Sequence, residues 1–582
     1  MNLRERLQSP VANRIIFFLF ALVVGAVVGV ATLGLIKLIL LVQQIGYGDA
    51  SEFRFAEIAA NVPAWRVIAV PALGGLLVGL LMEWLPGKRY HGIADVMEAC
   101  ALNSARMSVR SGIGAAAAAA VSLGVGAPLG REGPAVHIGA SISAWMAEKL
   151  GLDRRQSLAL LGCGAAAAVT VSFDTPIAGV IFALEVIVGY YTLRVFAPIV
   201  IAAMAAVVVR DLFLGDEPIF LLPDYTLYTL WELLPFAVLG ILGAIASWSV
   251  LQLVGLCQKF WQSVPLPNWM RPACAGFVIG VIALQYPLIL SVGTDGIGQA
   301  LRGELFFNLL FAFLFLKIIA VAIAIGSGFA GGVFGPALYI GAMLGGCFWW
   351  FLTFIGAPIS DQGVYAIAGT AAVASAMLGA PISTILIVFE LTGNYDITLG
   401  VMTAAAFAST TMSLTGHGSF FRWQLANRNV NIAAGRDISL LMTHRIEHLV
   451  SQRYTSVLPD CTVGELESRM GAQRQRLAMI VDEEGVFHGS VTLQQLVAYA
   501  VEQGMDHAAI AVATNADFSA TTSTNIVTAL QRMAEQQVEY LPVLDLSDKT
   551  KPLLLGTISK SDLLAEHYDV VKREREAEFG IT

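Results

Sequence analysis

The stretch Gly130-Arg-Glu-Gly-Pro134 sets one carboxylate, Glu132, between glycines and a proline, directly ahead of an apolar run. Glycine and proline interrupt a helix, and proline is well suited to open the next one. A helix N-terminus offers unpaired N–H groups and about half a positive charge, which suits an anion. A carboxylate placed there can occupy the site as a tethered anion, to be moved aside by protonation or displacement. The alternative is a structural Glu132 paired with Arg131. The pattern recurs 202 residues later, where Gly332-Val-Phe-Gly-Pro336-Ala-Leu-Tyr-Ile-Gly-Ala342 parallels residues 130–140 with Phe334 in place of Glu132. Gly164, Pro176, Ile177 and Glu185 match Gly369, Pro381, Ile382 and Glu390 at an offset of 205. Symmetric placement of Glu185 and Glu390 suggests packing or capping. Two ordered motifs at nearly one offset make the body two related halves, about 15–215 and 230–425.

The elements that carry these motifs are membrane spans. Of 582 residues, 56% are apolar and 13% charged, and mean hydropathy is +0.70. A soluble domain carries about 25% charged residues, so an ordinary soluble enzyme and a disordered chain are excluded. The net charge of −8 offers no basic stripe to nucleic acid. A span needs about 20 apolar residues. Ile15–Ile36, Ser111–Gly130, Leu233–Gln258 and Gln362–Phe389 carry no charge, and Ile318–Ser360 is uncharged over 43 positions. Further segments near Val67–Met82, Val195–Val209, Pro272–Thr294 and Ile397–Phe421 bring the expectation to about ten or more membrane elements. Glycine and proline break several of them, which points to a binding site near the midplane. The early apolar run is too long for a cleavable signal peptide, and Arg4 and Arg6 ahead of it place the N-terminus in the cytoplasm. Six scattered cysteines form no CxxC pair, so a disulfide framework or zinc site is not expected.

These motifs resemble the CLC chloride channel and transporter family over most of residues 15–430. Gly130–Pro134 matches the family's GREGP, and Gly326–Pro336 matches GSGxPGGxFxP except that Ala330 replaces the usual proline. The resemblance implies an all-α multi-pass membrane homodimer with broken helices and one anion pathway per subunit. It implies voltage-gated passage of chloride or similar small anions, with Glu132 as the gating glutamate and the backbone N–H groups of Val333 and Phe334 on the central anion. Arg131, Gly133, Gly92 and Ile93 complete the implied anion-binding set with His91 and Phe421. The last two are departures: His91 stands where the family has an anion-binding serine, and Phe421 where it has a pore tyrosine. Either a His91 ring N–H donates to the anion or backbone groups do the work alone. On the intracellular proton path the family's exchangers carry a second glutamate; Val186 occupies that position, which favours channel-like conduction over a proton-coupled exchanger. The family's fluoride-selective branch fits less well around the gate.

Residues 441–582 carry the whole net charge, and the preceding 440 balance. Residues 431–445 read as a linker, and two similar units follow at about 446–505 and 506–570. Met479–Asp482 with Gly489–Thr492 parallels Pro542–Asp545 with Gly556–Ser559: strand, turn, strand, helix start. The units resemble a CBS-domain pair, an α/β module. That resemblance implies an adenine nucleotide at Thr557, Ser559 and Asp562, with Gln495 breaking the equivalent site in the first unit. The alternative is a dimerisation module in which Asp562 caps the helix at Ser561. No cofactor is required for transport. The tail is expected in the cytoplasm and the body in the inner membrane. Two rivals are weaker. A cation transporter needs clustered carboxylates, which the body lacks in sequence. An intramembrane enzyme built on Ser327 has no motif-placed histidine to activate it.

Overall fold

In the computed structural model the chain forms two compact units, Met1–Asn431 and Ile432–Thr582. The structure describes residues 10–579 except 104, 216–222, 224, 417, 429, 431, 433–443, 514–518, 536–537 and 548–551. Most of the segment expected as a linker, 431–445, lies outside them.

The first unit is helical, and its principal helices fall into two series in the same order. The first series is α1 (Pro10–Tyr47), α2 (Ala64–Trp84), α3 (Ile93–Ala101), α4 (Val109–Gly124), α5 (Glu132–Lys149), α6 (Arg154–Phe173), α7 (Pro176–Phe182) and α8 (Leu193–Leu214). The second is α9 (Leu233–Ser263), α10 (Arg271–Ala283), α11 (Thr294–Leu301), α12 (Phe307–Ser327), α13 (Phe334–Phe354), α14 (Gln362–Leu378), α15 (Pro381–Thr392) and α16 (Tyr395–Leu414). A last short helix, α17 (Phe420–Ala426), follows both. Among the described residues, eight helices are long and apolar enough to cross a membrane, and four shorter apolar helices accompany them.

Local chemistry sets the breaks. α6 begins at Asp153, whose carboxylate accepts from the Gln156 N–H at 2.8 Å. It ends at Asp174 in the left-handed region (φ 58°), and Pro176 opens α7. In the second half α14 ends at Gly379 (φ 68°) and Pro381 opens α15. Proline fits the first helical turn because its missing N–H is unpaired there anyway. The uncharged run Gln362–Phe389 is therefore two helices and not one span. The run Pro272–Thr294 is likewise no single span: α10 ends at Ala283 and only a short 3-10 turn, Pro287–Ile289, follows before Thr294. The span missed from sequence is α6, whose apolar window is 89% buried inside the protein.

Two features join the halves. Gly130 and Gly332 exchange both backbone hydrogen bonds, at 2.8 and 2.7 Å. The carboxylates of Glu185 and Glu390 each cap a helix of the opposite half. Glu185 accepts from the N–H groups of Ile382 (3.1 Å) and Ser383 (2.8 Å) at the start of α15. Glu390 accepts from Ile177 (2.9 Å) and Ala178 (2.7 Å) at the start of α7. Both exchanges are reciprocal, so a local two-fold relates the halves. Within each half the crossing of α5 on α6, and of α13 on α14, is backbone to backbone. A Cβ on Gly139 would lie 2.6 Å from the Gly164 carbonyl oxygen, and one on Gly341 would lie 2.3 Å from that of Gly369.

The second unit is α/β. β1 (Thr455–Val457) runs parallel to β2 (Leu477–Val481), which pairs antiparallel with β3 (Phe487–Thr492). β4 (Tyr540–Asp545) pairs antiparallel with β5 (Leu553–Ser559). Helices α18 (Val463–Gln473) and α19 (Leu493–Gln503) belong to the first motif, α20 (Ile526–Glu535) and α21 (Lys560–Phe579) to the second. The boundary differs from a simple cut at 505/506. Ala509 packs in the core of Val457, Leu466 and Ile480, whereas Ile446 packs in the core of Ile526, Val543 and Ile558. The chain therefore starts in the second motif and crosses into the first, because Ile446, Leu449 and Val450 find their apolar cover there.

Candidate functional site

A cavity of roughly 420 Å³ is lined by residues at the starts of four helices: Gly92 and Ile93 at α3, Gly133 at α5, Val333 at α13, and Phe420 and Phe421 at α17. The first N–H groups of a helix have no intrahelical acceptor, so those of Val333 and Phe334 are free to meet a ligand. Among the described residues, Lys88, Arg89, Arg271 and Arg428 also line the cavity, against Glu83 as its one acidic lining residue. That excess of positive charge favours anions.

The Gly130–Gly332 exchange brings the starts of α5 and α13 together. Glu132 is 2% exposed, and its carboxylate accepts the Gly335 N–H of α13 at 3.3 Å. Only glycine fits beside it: a Cβ on Gly130 would lie 2.6 Å from that carboxylate and 2.7 Å from the Gly335 nitrogen. A carboxylate from one half thus sits on the helix start of the other, where an anion would sit.

Arg131 takes another partner. Its guanidinium pairs with Glu52 at 2.5 Å and donates to the Ser172 carbonyl at 3.1 Å, so the expected alternative of a Glu132–Arg131 pair is not what forms. Arg131 lines a second, smaller cavity with Glu52 and Asp295, away from Val333 and Phe421. The His91 ring is also committed elsewhere, at 3.3 Å from the Asp95 carboxylate and 2.8 Å from the Pro86 carbonyl. Of the two readings for that loop, the backbone one fits this geometry. The Phe334 ring is packed on Phe173 and Phe182, with centroids 4.7 and 5.9 Å away, which leaves only its backbone for a ligand. Val186 is buried in a π-helical turn, Ala183–Val188, that continues α7 and aims Glu185 at α15. Ser327 donates to the Ala324 carbonyl of its own helix at 2.9 Å.

Several groups escaped the sequence reading. Asp95 caps α3 by accepting the Gly92 N–H at 2.9 Å and gathers Arg89 (2.6 Å) and Arg428 (3.1 Å) at the cavity. An acidic residue three places after the glycine was the available signal. Glu232, 1% exposed, accepts from the Ser360 N–H, the Ser360 hydroxyl and the Tyr365 hydroxyl at 2.8–3.0 Å. Lys317, fully buried, donates to the carbonyls of Ile289 (2.8 Å) and Ser291 (2.9 Å) and lies 4.6 Å from the Tyr339 ring centroid. A lone lysine in an apolar run marked it.

In the second unit the Ser559 hydroxyl accepts the Asp562 N–H at 3.1 Å and donates to its carboxylate at 2.7 Å. Thr492 and Gln495 make the same cap in the first motif, at 3.3 and 2.9 Å. Thr557 is 2% exposed and exchanges backbone hydrogen bonds with Ser451.

Helix starts from two repeated halves that converge on a positively charged cavity, with a buried carboxylate on the α13 start, mark an anion-transporting membrane protein. The chain belongs to the voltage-gated chloride channel family, whose model matches residues 74–413; a CBS domain matches residues 511–569. It is 31% identical over 379 residues to a ClcB-like chloride channel protein of Ralstonia nicotianae, covering 63% of this chain and 87% of the relative. It is 27% identical over 425 residues to the voltage-gated ClC-type chloride channel ClcB of Escherichia coli, covering 71% and 99%. A slow cyanobacterial Cl−/H+ antiporter superposes with a TM-score of 0.62 at 21% identity, over 72% of this chain and 99% of that one. At that identity the likeness is one of fold.

Proposed function

We propose that the protein passes chloride or similar small anions through the four-helix cavity, with Glu132 as the gate, and that conduction is channel-like. One observation carries the gate: a buried carboxylate lies on the α13 start, 3.3 Å from the Gly335 N–H. Moving it would free that N–H beside those of Val333 and Phe334. Ile93 and Gly133 supply the remaining backbone donors of the site, the Gly92 N–H being held by Asp95, and the positive charge at the cavity draws anions in. Channel-like conduction rests on Val186, which cannot carry a proton, and on Glu185, whose carboxylate is occupied as a cap. The alternative is a proton-coupled exchanger. The working assembly is a homodimer in the inner membrane, with the N-terminus and CBS pair in the cytoplasm. The tail serves the dimer. An adenine nucleotide is the alternative role for Thr557, Ser559 and Asp562, and a rise in melting temperature with ATP would favour it.

Purified protein in liposomes under a chloride gradient, with chloride and external pH recorded together, tests this reading. We expect chloride flux without linked proton movement. Glu132→Gln should keep the flux and lose its gating. A folded Glu132→Gln protein that passes no anion would remove Glu132 from the role. Proton movement that tracks chloride at clamped potential would make the protein an exchanger.

A further inference from the structure

The anion site described above has backbone donors but no side-chain hydroxyl from positions 91 or 421: the His91 ring is bonded away from it, and Phe421 has none. A third side chain stands at the same place. Tyr90 lines the cavity, and its hydroxyl oxygen is buried without a hydrogen-bond partner. A buried hydroxyl without a partner is costly and calls for an explanation. Its direction supplies one. The oxygen would lie 3.5 Å from a Cβ on Gly133, and that same Cβ would lie 3.2 Å from the Gly332 α-carbon. The hydroxyl therefore faces the point where the two glycine breaks meet, next to the α5 and α13 starts. Gly92 also stands against the phenol: a Cβ there would lie 3.1 Å from the ring edge and 3.5 Å from the hydroxyl. The absence of side chains at Gly92 and Gly133 gives the phenol its room.

We propose that the Tyr90 hydroxyl is a side-chain ligand of the transported anion, donating to it alongside the backbone N–H groups of α5 and α13. The phenol O–H is a good donor to an anion, and charge-assisted hydrogen bonds are the stronger kind. The ligand class is a small, weakly basic monovalent anion such as chloride, bromide or nitrate. This inference rests on the anion pathway proposed above and adds to it one specificity-determining residue.

Tyr90→Phe deletes the hydroxyl and no hydrogen bond within the protein, so folding should be unchanged. Titration of the full-length protein in detergent with chloride should show affinity falling about five- to tenfold, with the chloride-to-nitrate preference altered. An unchanged affinity and preference, in a protein whose wild type conducts chloride and whose Glu132→Gln variant behaves as expected, would overturn this inference alone. Absence of chloride flux in the wild type would overturn the pathway itself. Independently of any loss of folding in the variant, 3-fluorotyrosine at position 90 should give a 19F resonance that shifts on chloride addition. A resonance unmoved at saturating chloride would overturn the proposal.

Discussion

Glu132 and Lys317 show two ways to keep an ionisable side chain inside this protein. Glu132 has a backbone N–H on its carboxylate, and the neighbouring guanidinium is taken by Glu52; its position follows from the helix starts around it. Lys317 is fixed by carbonyls that a turn between α10 and α11 leaves unpaired. Replacing Lys317 with methionine keeps the volume and strips those oxygens of their donor. We expect a loss of about 3 kcal/mol of stability, seen as a lower melting temperature in detergent, whereas Lys317→Arg should lose less. A Met variant as stable as wild type would mean the carbonyls find water instead. At this scale the sequence was legible where chemistry and spacing coincide, as at Glu132. It was not where the partner is remote. Arg131 stands beside Glu132 in the chain but pairs with Glu52, 79 residues away. Tyr90 opens the segment Tyr90-His-Gly-Ile-Ala94 that stands in for the family's first motif, but nothing there marks its hydroxyl; only the empty volumes at Gly92 and Gly133 reveal what it faces.

Among the elements, α7 and α15 are the pair on which the fold turns. Each is short, each opens on proline, and each has its first N–H groups satisfied by a carboxylate from the other half. Glu185→Gln retains an acceptor but loses the charge that favours a helix start, a cost of about 1 kcal/mol. We expect a modest drop in melting temperature with chloride flux retained. Loss of flux at normal stability would show that Glu185 does more than cap. Glu390→Gln should behave alike, and the two losses should add if the caps act separately. Gly164→Val would drive α5 and α6 apart at their backbone crossing, and we expect little folded protein on size exclusion. The repeat and the breaks were readable because glycine and proline are local signals. The π-helical turn that aims Glu185 was not, since it is set by packing against α6.

The whole molecule joins a charge-balanced body to an acidic module, and the two respond to different variables. In the module, the Val486 N–H and the His488 ring beside Asp482 hold its carboxyl below the usual carboxylate range, and Ser547 does the same for Asp545. Groups of this kind stabilise the fold above their unfolded pKa, about 3.9 for aspartate, and lose that contribution as pH falls through the lower folded value. Acid unfolding of the module should begin below about pH 4, followed by circular dichroism on the full chain. Asp482→Asn should flatten that dependence, and an unchanged acid profile would remove Asp482 from it. The module was legible as two strand–turn–strand repeats, down to Gly489 and Gly556. Its interleaved start was not, because Ile446 is apolar enough for either core. The exchange of carboxylates between halves also bears on how the protein is made. When α7 leaves the ribosome, its capping group, Glu390, lies more than 200 residues downstream. At about 5–20 residues per second, that is an interval on the order of 10–40 s. Throughout it the nascent first half holds an incomplete helix start and an unmatched Glu185, so synthesis runs on a timer that only the second half can stop.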